Sequence, residues 1–199
     1  FSHCSFSNLG SYSIGSIKLQ ATINIDEATV NFTSCLWNNN NTQTDLILSN
    51  AEYQLTNTIF QNNAGDAIKA IFSQGIITKI KVDNYGGNGL IQMGGRTTIK
   101  EIRVSNLLGW AFDCDLLAMS NISYYSTEQT AHSISAKGSS EVVINEYKGK
   151  TRKRDIEITG NEKPNTRLII SNAKEAKKIK YIVEPGALLK INGLEKKTK

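Results

Sequence analysis

Leu46-Ile47-Leu48, Ile68-Lys69-Ala70, Leu90-Ile91-Gln92, Phe112-Asp113-Cys114, Ile134-Ser135-Ala136 and Ile156-Glu157-Ile158 decide the fold, because their first residues follow one another at intervals of 22 without a slip. Ile23 precedes Leu46 by 23. Each triplet opens a short alternating segment, and a period of two is a strand signal. A second apolar column runs through Phe6, Trp37, Phe60, Val82, Val104, Tyr124, Tyr147 and Ile170. Two residues after most of these comes Asn8, Asn39, Asn62, Asn84, Asn106 or Asn172, with Ser126 and Gly149 in the two remaining places. Asn tolerates left-handed backbone angles and bonds to nearby main chain, so this column predicts one tight turn repeated in every coil, with Asn side chains bonding along the stack. A third column, Phe32, Leu55, Ile77, Ile99, Val143 and Leu168, supplies the remaining strand.

A coil of about 22 residues with three short strands cannot bury its apolar face alone, but it can when stacked on copies of itself. Helical repeats need longer periods and i, i+3, i+4 spacing, and leucine-rich repeats need a Leu-x-x-Leu-x-Leu frame; the sequence has neither. The expected fold is therefore all-β, a right-handed parallel β-helix solenoid of about eight coils. The 31 residues from Asn8 to Asn39 exceed one period, which predicts an extra loop near Ile14 to Gln20. Toward the end, Lys163-Pro164-Asn165 interrupts a coil, and Val183 to Ile191 reads as a turn and a final strand. The expected organisation is one domain over residues 1–193 and a charged, basic tail over 194–199 that discourages end-to-end stacking.

Composition agrees with a β fold. Two Pro, 15 Gly and abundant Asn, Ser, Thr and Ile suit short strands joined by polar turns, and a hydrophobic fraction of 39% supplies a core. No apolar run reaches the length of a membrane span, and nothing at the start reads as a signal peptide. The chain opens at Phe1 inside a patterned segment, so it is expected to be a processed form or a piece of a longer parent chain with other domains, whose start could hold an export signal.

The formal net charge of +5 is unevenly spread. Residues 1–139 carry eight Lys/Arg against ten Asp/Glu, whereas residues 140–199 carry 15 against eight. Lys148, Lys150, Arg152, Lys153 and Arg154 form one basic cluster, and Lys174, Lys177, Lys178 and Lys180 another. Such clusters attract polyanions, although a solvated face has the same composition. Nucleic acid is not the expected partner; a polysaccharide or surface glycan is.

Cys4 and Cys35 stand two residues before Phe6 and Trp37, hence at equivalent positions in adjacent coils. That placement suits a disulfide and equally suits two buried thiols. Cys114 has no evident partner, and with His3 and His132 the only His, zinc spacing and a Ser-His-Asp triad find no support. Asn31-Phe32-Thr33, Asn40-Asn41-Thr42 and Asn121-Ile122-Ser123 fit the glycosylation pattern, with Asn40 expected to be the exposed, usable one.

Gly65-Asp66-Ala67-Ile68-Lys69-Ala70 and Gly87-Asn88-Gly89-Leu90-Ile91-Gln92-Met93-Gly94 resemble successive coils of the pectin-lyase-like superfamily. The resemblance extends over nearly the whole chain as architecture. It implies, for polygalacturonase-type members, Asn-Thr-Asp, Gly-Asp-Asp, Gly-His-Gly and Arg-Ile-Lys on neighbouring strands, a carboxylate set for inverting hydrolysis. Here Asp66 matches the first Asp of the pair, but Ala67 occupies the second and Asn88 the place of the His. Asp45, after Asn41-Thr42-Gln43-Thr44, only hints at the first triplet, and Arg96-Thr97-Thr98-Ile99-Lys100 is no clean copy of the last. For pectate-lyase-type members the resemblance implies Ca²⁺ held by clustered carboxylates and an Arg or Lys base. Asp113 and Asp115 would share the outer face of the strand Phe112-Asp113-Cys114-Asp115, roughly 7 Å apart, a span one bridging Ca²⁺ could use. Lys69 and Lys137 are expected on the same wall with His132 beside it; a solvated ladder of offsetting Asp and Lys is the competing reading.

The degraded catalytic columns predict a non-catalytic module of a secreted or cell-surface protein, structural, adhesive or carbohydrate-contacting, without a cofactor. The alternative is a lyase or hydrolase acting on an acidic glycan, Ca²⁺-dependent if a lyase, with Asp45, Asp66, Lys69, Asp113, Asp115 and His132 as its site.

Overall fold

A computed structural model describes the chain except residues 11, 15, 16, 20, 161–164, 198 and 199. The described strands stack as a parallel β-solenoid of about eight turns with three walls. On the first wall Ile23, Leu46, Ile68, Leu90, Phe112, Ile134 and Ile156 are register partners, as the 22-residue spacing predicts, and Tyr181 continues the column. From Leu46 to Ile156 these side chains have no exposed surface. Each such burial is worth about 1.5–3 kcal/mol, realised only because the coil above and the coil below cover it. The inner column two residues on includes Gln92, which donates to the Met119 carbonyl at 3.3 Å and accepts from Ser120, so the one amide in that row is satisfied.

The second and third walls depart from the expected columns after Ile99 and Val104, and a single added residue accounts for one position of the shift. The third wall pairs Phe6, Trp37, Phe60, Val82 and Val104 as expected, but Val104 then faces Thr127, and Tyr124 lies three residues away opposite Glu101. Tyr147 aligns with Tyr125 and Ala173, not with Tyr124. On the second wall Phe32, Leu55, Ile77 and Ile99 continue through Ile122, Ile144, Ile170 and Ile191; Val143 is displaced by one and Leu168 by two. The step from Ile99 to Ile122 is 23 residues. The surplus enters at Leu116-Leu117 and is removed where the ladder slips near Thr130, so the first wall never sees it.

Asn8, Asn39, Asn62, Asn84 and Asn106 all adopt positive φ, between 54° and 59°, as the turn column predicts. In the next coil Gln129 takes the left-handed place (φ 51°), not Ser126, and Asn172 does not adopt it. Along this corner Asn84 donates to Asn62 at 2.8 Å, while Asn62 turns to Asn38 and Asn106 to Asp83. A second left-handed corner was not foreseen: Glu27, Asn50, Phe72, Gly94, Leu116 and Gly138 occupy it in six successive coils. Leu117 there has φ 62° and is 61% exposed, so its side chain gains little from packing while its backbone is strained. Leu117→Gly is expected to raise stability by about 0.5–1 kcal/mol, read as a higher melting midpoint; an unchanged or lower midpoint would contradict the strain. Gly94→Ala should do the reverse, because its Cβ would meet the Phe72 ring.

The loop expected near Ile14 to Gln20 contains an antiparallel pair, Tyr12–Ile14 with Ile17–Leu19, set apart from the main sheet; Gln20 lies outside the described residues, as do Lys163 and Pro164. Leu188–Ile191 is the final parallel strand, as expected. Beyond position 193, Leu194–Lys196 pairs antiparallel with Leu188–Ile191. Cys4 and Cys35 are free thiols in adjacent coils, and burial pushes the Cys114 thiol up to about 12. Among the described residues no helix is long and apolar enough to cross a membrane.

Candidate functional site

The first wall carries most of the residues that the sequence nominates, and the register separates them. Asp66, Asn88, Trp110, His132 and Arg154 form one column, so Asp66 and His132 are three coils or about 14 Å apart along the stack. Lys69 lies in the column of Ile91 and Asp113, two coils or about 10 Å from that carboxylate. Asp66 and His132 are engaged locally. Asp66 accepts the Asn88 amide N–H at 2.6 Å, and Asn88 in turn accepts the Trp110 amide N–H at 2.7 Å, a ladder that fixes the corner. The His132 ring stacks on Trp110 with centroids 4.5 Å apart. Its pKa is lowered, first by burial and then by the Lys153 and Arg154 charges, with Glu157 opposing, so it is neutral at physiological pH.

Asp113 and Asp115 do share the outer face, and Lys137 sits between them, its Nζ 3.4 Å from one carboxylate and 3.8 Å from the other. This is the offsetting Asp and Lys ladder. Asp113 Oδ1 is buried without a partner, but no group of three or more His, Cys, Asp and Glu that could hold a metal occurs among the described residues. Two carboxylates supply at most four of the six to eight oxygens that Ca²⁺ takes, and Lys137 engages both of them here.

Asp45 is not on the outer surface. It is fully buried at the corner preceding the first wall, accepting Asn40 at 2.8 Å, Thr22 at 3.0 Å and Thr42 at 3.4 Å on one oxygen and the Tyr85 hydroxyl on the other. Burial raises its pKa, and these hydrogen bonds only partly oppose the shift. Asp45, Ala67, Gly89, Ala111, Ser133 and Asp155 recur at 22 residues, a small-residue corner with a carboxylate at each end. That spacing was the signal for an interior role. The same contacts correct the expectation for Asn40: it is 4% exposed, and its amide is committed to Asp45 and to the Phe6 carbonyl.

The basic residues have a different setting. On the outer face of the third wall, Lys81, Arg103 and Lys148 share one column, with Ser126 between the last two. Lys174 follows Ala173, the partner of Tyr147, and so extends the column past Lys148. The 3₁₀ turn Ala176–Lys178 contributes Lys178 to a groove of about 840 Å³ whose lining includes all four cations with Tyr124 and Lys150. Lys81 pairs with Asp83, Arg103 with Glu101, Lys174 with Glu146 and Lys178 with Glu175. Lys148 and Lys150 have no ion-pair partner among the described residues, nor do the exposed Arg152 and Lys153, while Arg154 pairs with Glu157. Asp83 is held below its usual range; burial raises it, but hydrogen bonds from Ser105 and Asn106 and the Lys81 charge outweigh that. Lys81 and Arg103 belong to the groove although they lie far before the basic third; their 22-residue separation is a clue to a shared column, but Lys148 follows Arg103 by 45 residues because the intervening coil holds one residue more.

The class of protein that fold and site define is a parallel β-solenoid with a basic groove on one wall. No family model, no curated protein and no solved structure matches the chain.

Proposed function

We propose that the chain is a non-catalytic module of a secreted or cell-surface protein, a rigid rod whose flat walls contact carbohydrate, and that its architecture is of the pectin-lyase-like kind. One observation carries the reading: the carboxylates that a lyase or hydrolase would use do not converge. Asp45 is interior, Asp66 holds a corner, and Asp113 and Asp115 are matched by Lys137. Glycoside hydrolysis needs two carboxyls across one bond, and lyase chemistry needs a base near bound substrate. The second wall supports the contact role, with the outward, exposed Asn31, Gln54, Ile76, Thr98 and Asn121 in a single register column.

A glycan array followed by product analysis tests this. Binding of at least one polysaccharide is expected, with neither a rise in ultraviolet absorbance from unsaturated uronate nor new reducing ends, with or without Ca²⁺. Turnover by the isolated chain that Asp113→Ala and Asp115→Ala abolish would replace this reading with the enzymatic one.

A further inference from the structure

We infer that the groove on the third wall is a binding site for a linear sulfated glycan lying along the solenoid axis, with Lys148 and Lys150 as its principal contacts. The inference rests on the carbohydrate-contacting reading above and supplies its ligand class. The shape sets the direction. Lys81, Arg103, Lys148 and Lys174 stand in one column over four coil steps, about 19 Å, which is a track for an extended chain and not a pocket for a small molecule. One coil height is comparable to the length of a pyranose unit, so successive coils meet successive sugars.

Charge sets the sign of the ligand. The six groove cations face Glu128 and Glu175 across the lining, and Asp155, also lining it, is buried and bound by Thr151 and the Lys180 amide. Lys148 and Lys150 project with no acidic partner among the described residues, beside the equally unmatched Arg152 and Lys153. Unmatched cations concentrated on one side of a groove attract a polyanion and are the first to contact it.

The donor types narrow the class further. The unpaired donors that line the groove, Lys148 and Lys150, are ammonium groups on flexible stems, which meet a tetrahedral sulfate from any direction. A carboxylate is best met by the planar fork of Arg, and the one Arg in the groove is engaged: Arg103 bonds Glu101 and lies over the Tyr124 ring at 5.5 Å. That contact also covers a face of Tyr124, and Tyr147 is only 2% exposed, so the groove lacks the open aromatic platforms on which single-stranded nucleic acid stacks.

The test is calorimetric titration of the full chain with defined heparin-type oligosaccharides at low and high salt, beside polygalacturonate oligomers and a single-stranded oligonucleotide. Three proteins are compared: the wild type, Lys148→Glu/Lys150→Glu, and Lys69→Glu/Lys137→Glu, which makes the same charge change on the outer face of the first wall. Circular dichroism confirms that each is folded. Sulfated oligosaccharide is expected to bind best and to weaken with salt, with the groove variant losing at least about tenfold and the first-wall variant much less. Equal losses in both variants would replace the groove with general surface charge and overturn the inference. Polygalacturonate or oligonucleotide binding as tightly as the sulfated chain would overturn the ligand class. Binding of neutral glycans alone would sink this site and leave the carbohydrate-contacting reading standing; cleavage of the sulfated chain would sink the non-catalytic reading and leave the site standing.

Discussion

Asp45→Ala is expected to destabilise the chain by about 3–5 kcal/mol, among the largest effects of any polar substitution in it. The carboxylate is fully buried and gathers four side chains from three coils, Thr22, Asn40, Thr42 and Tyr85. Removing it leaves the Tyr85 hydroxyl and one Asn40 donor without their partners in a corner closed to water, and each stranded group costs about 1–3 kcal/mol. Asp45→Asn keeps the shape and most acceptors, so a smaller loss is expected. The pH dependence has a defined sign. Because burial raises the folded-state pKa of Asp45, its contribution is fully present below the unfolded carboxylate value near ~4 and is lost as pH rises through the raised value. Wild type should therefore gain on Asp45→Asn upon acidification into that window. Urea denaturation at several pH values checks both points; an Asp45→Ala loss under about 1 kcal/mol, or a gain with rising pH, would show that the network is not stabilising.

The second large effect is expected at Gly75. In the inner column of the second wall, Val30, Tyr53, Gly75, Thr97, Ser120 and Val142 follow one another in register. Tyr53 fills the space that Gly75 leaves, its ring running along the stack so that its hydroxyl meets Thr97 Oγ1 at 2.8 Å, two coils away. A Cβ at position 75 would collide with ring carbons of Tyr53. Gly75→Val must push the ring out of the core, stranding the Thr97 hydroxyl and opening a void, for a loss of about 3 kcal/mol or more. Tyr53→Phe tests the same geometry more gently and should cost about 1 kcal/mol. If Gly75→Val melts with the wild type, the ring does not occupy that gap.

Most of the fold was legible because the first wall keeps its spacing through every coil from Leu46 to Ile156. The Asn corner was legible because one residue type recurs there, whereas the opposite corner holds Glu, Asn, Phe, Gly, Leu and Gly in the same backbone state and carries no compositional mark. Tyr124 follows Val104 by only 20 residues while the register runs from Val104 to Thr127; the added residue accounts for one of these three positions, and Tyr125, opposite Ile102, is the inward side chain. Asp45 was misplaced for a geometric reason. Thr44, Asp45 and Leu46 are all buried, so strict alternation breaks at the corner and a residue next to an inward Leu is itself inward. The basic cluster was visible as a run, but a groove depends on which coils place their cations in one column. Lys81 and Arg103 join Lys148 only through the register.

The surplus residue at Leu116-Leu117 and its removal near Thr130 amount to an expansion joint. Length errors taken up at a bend do not propagate along the rod, since one face holds its phase while the other two slide by a single position. Coils before and after that joint are thus free to differ in circumference, and segments of unequal length grafted at these two bends should leave distant coils undisturbed.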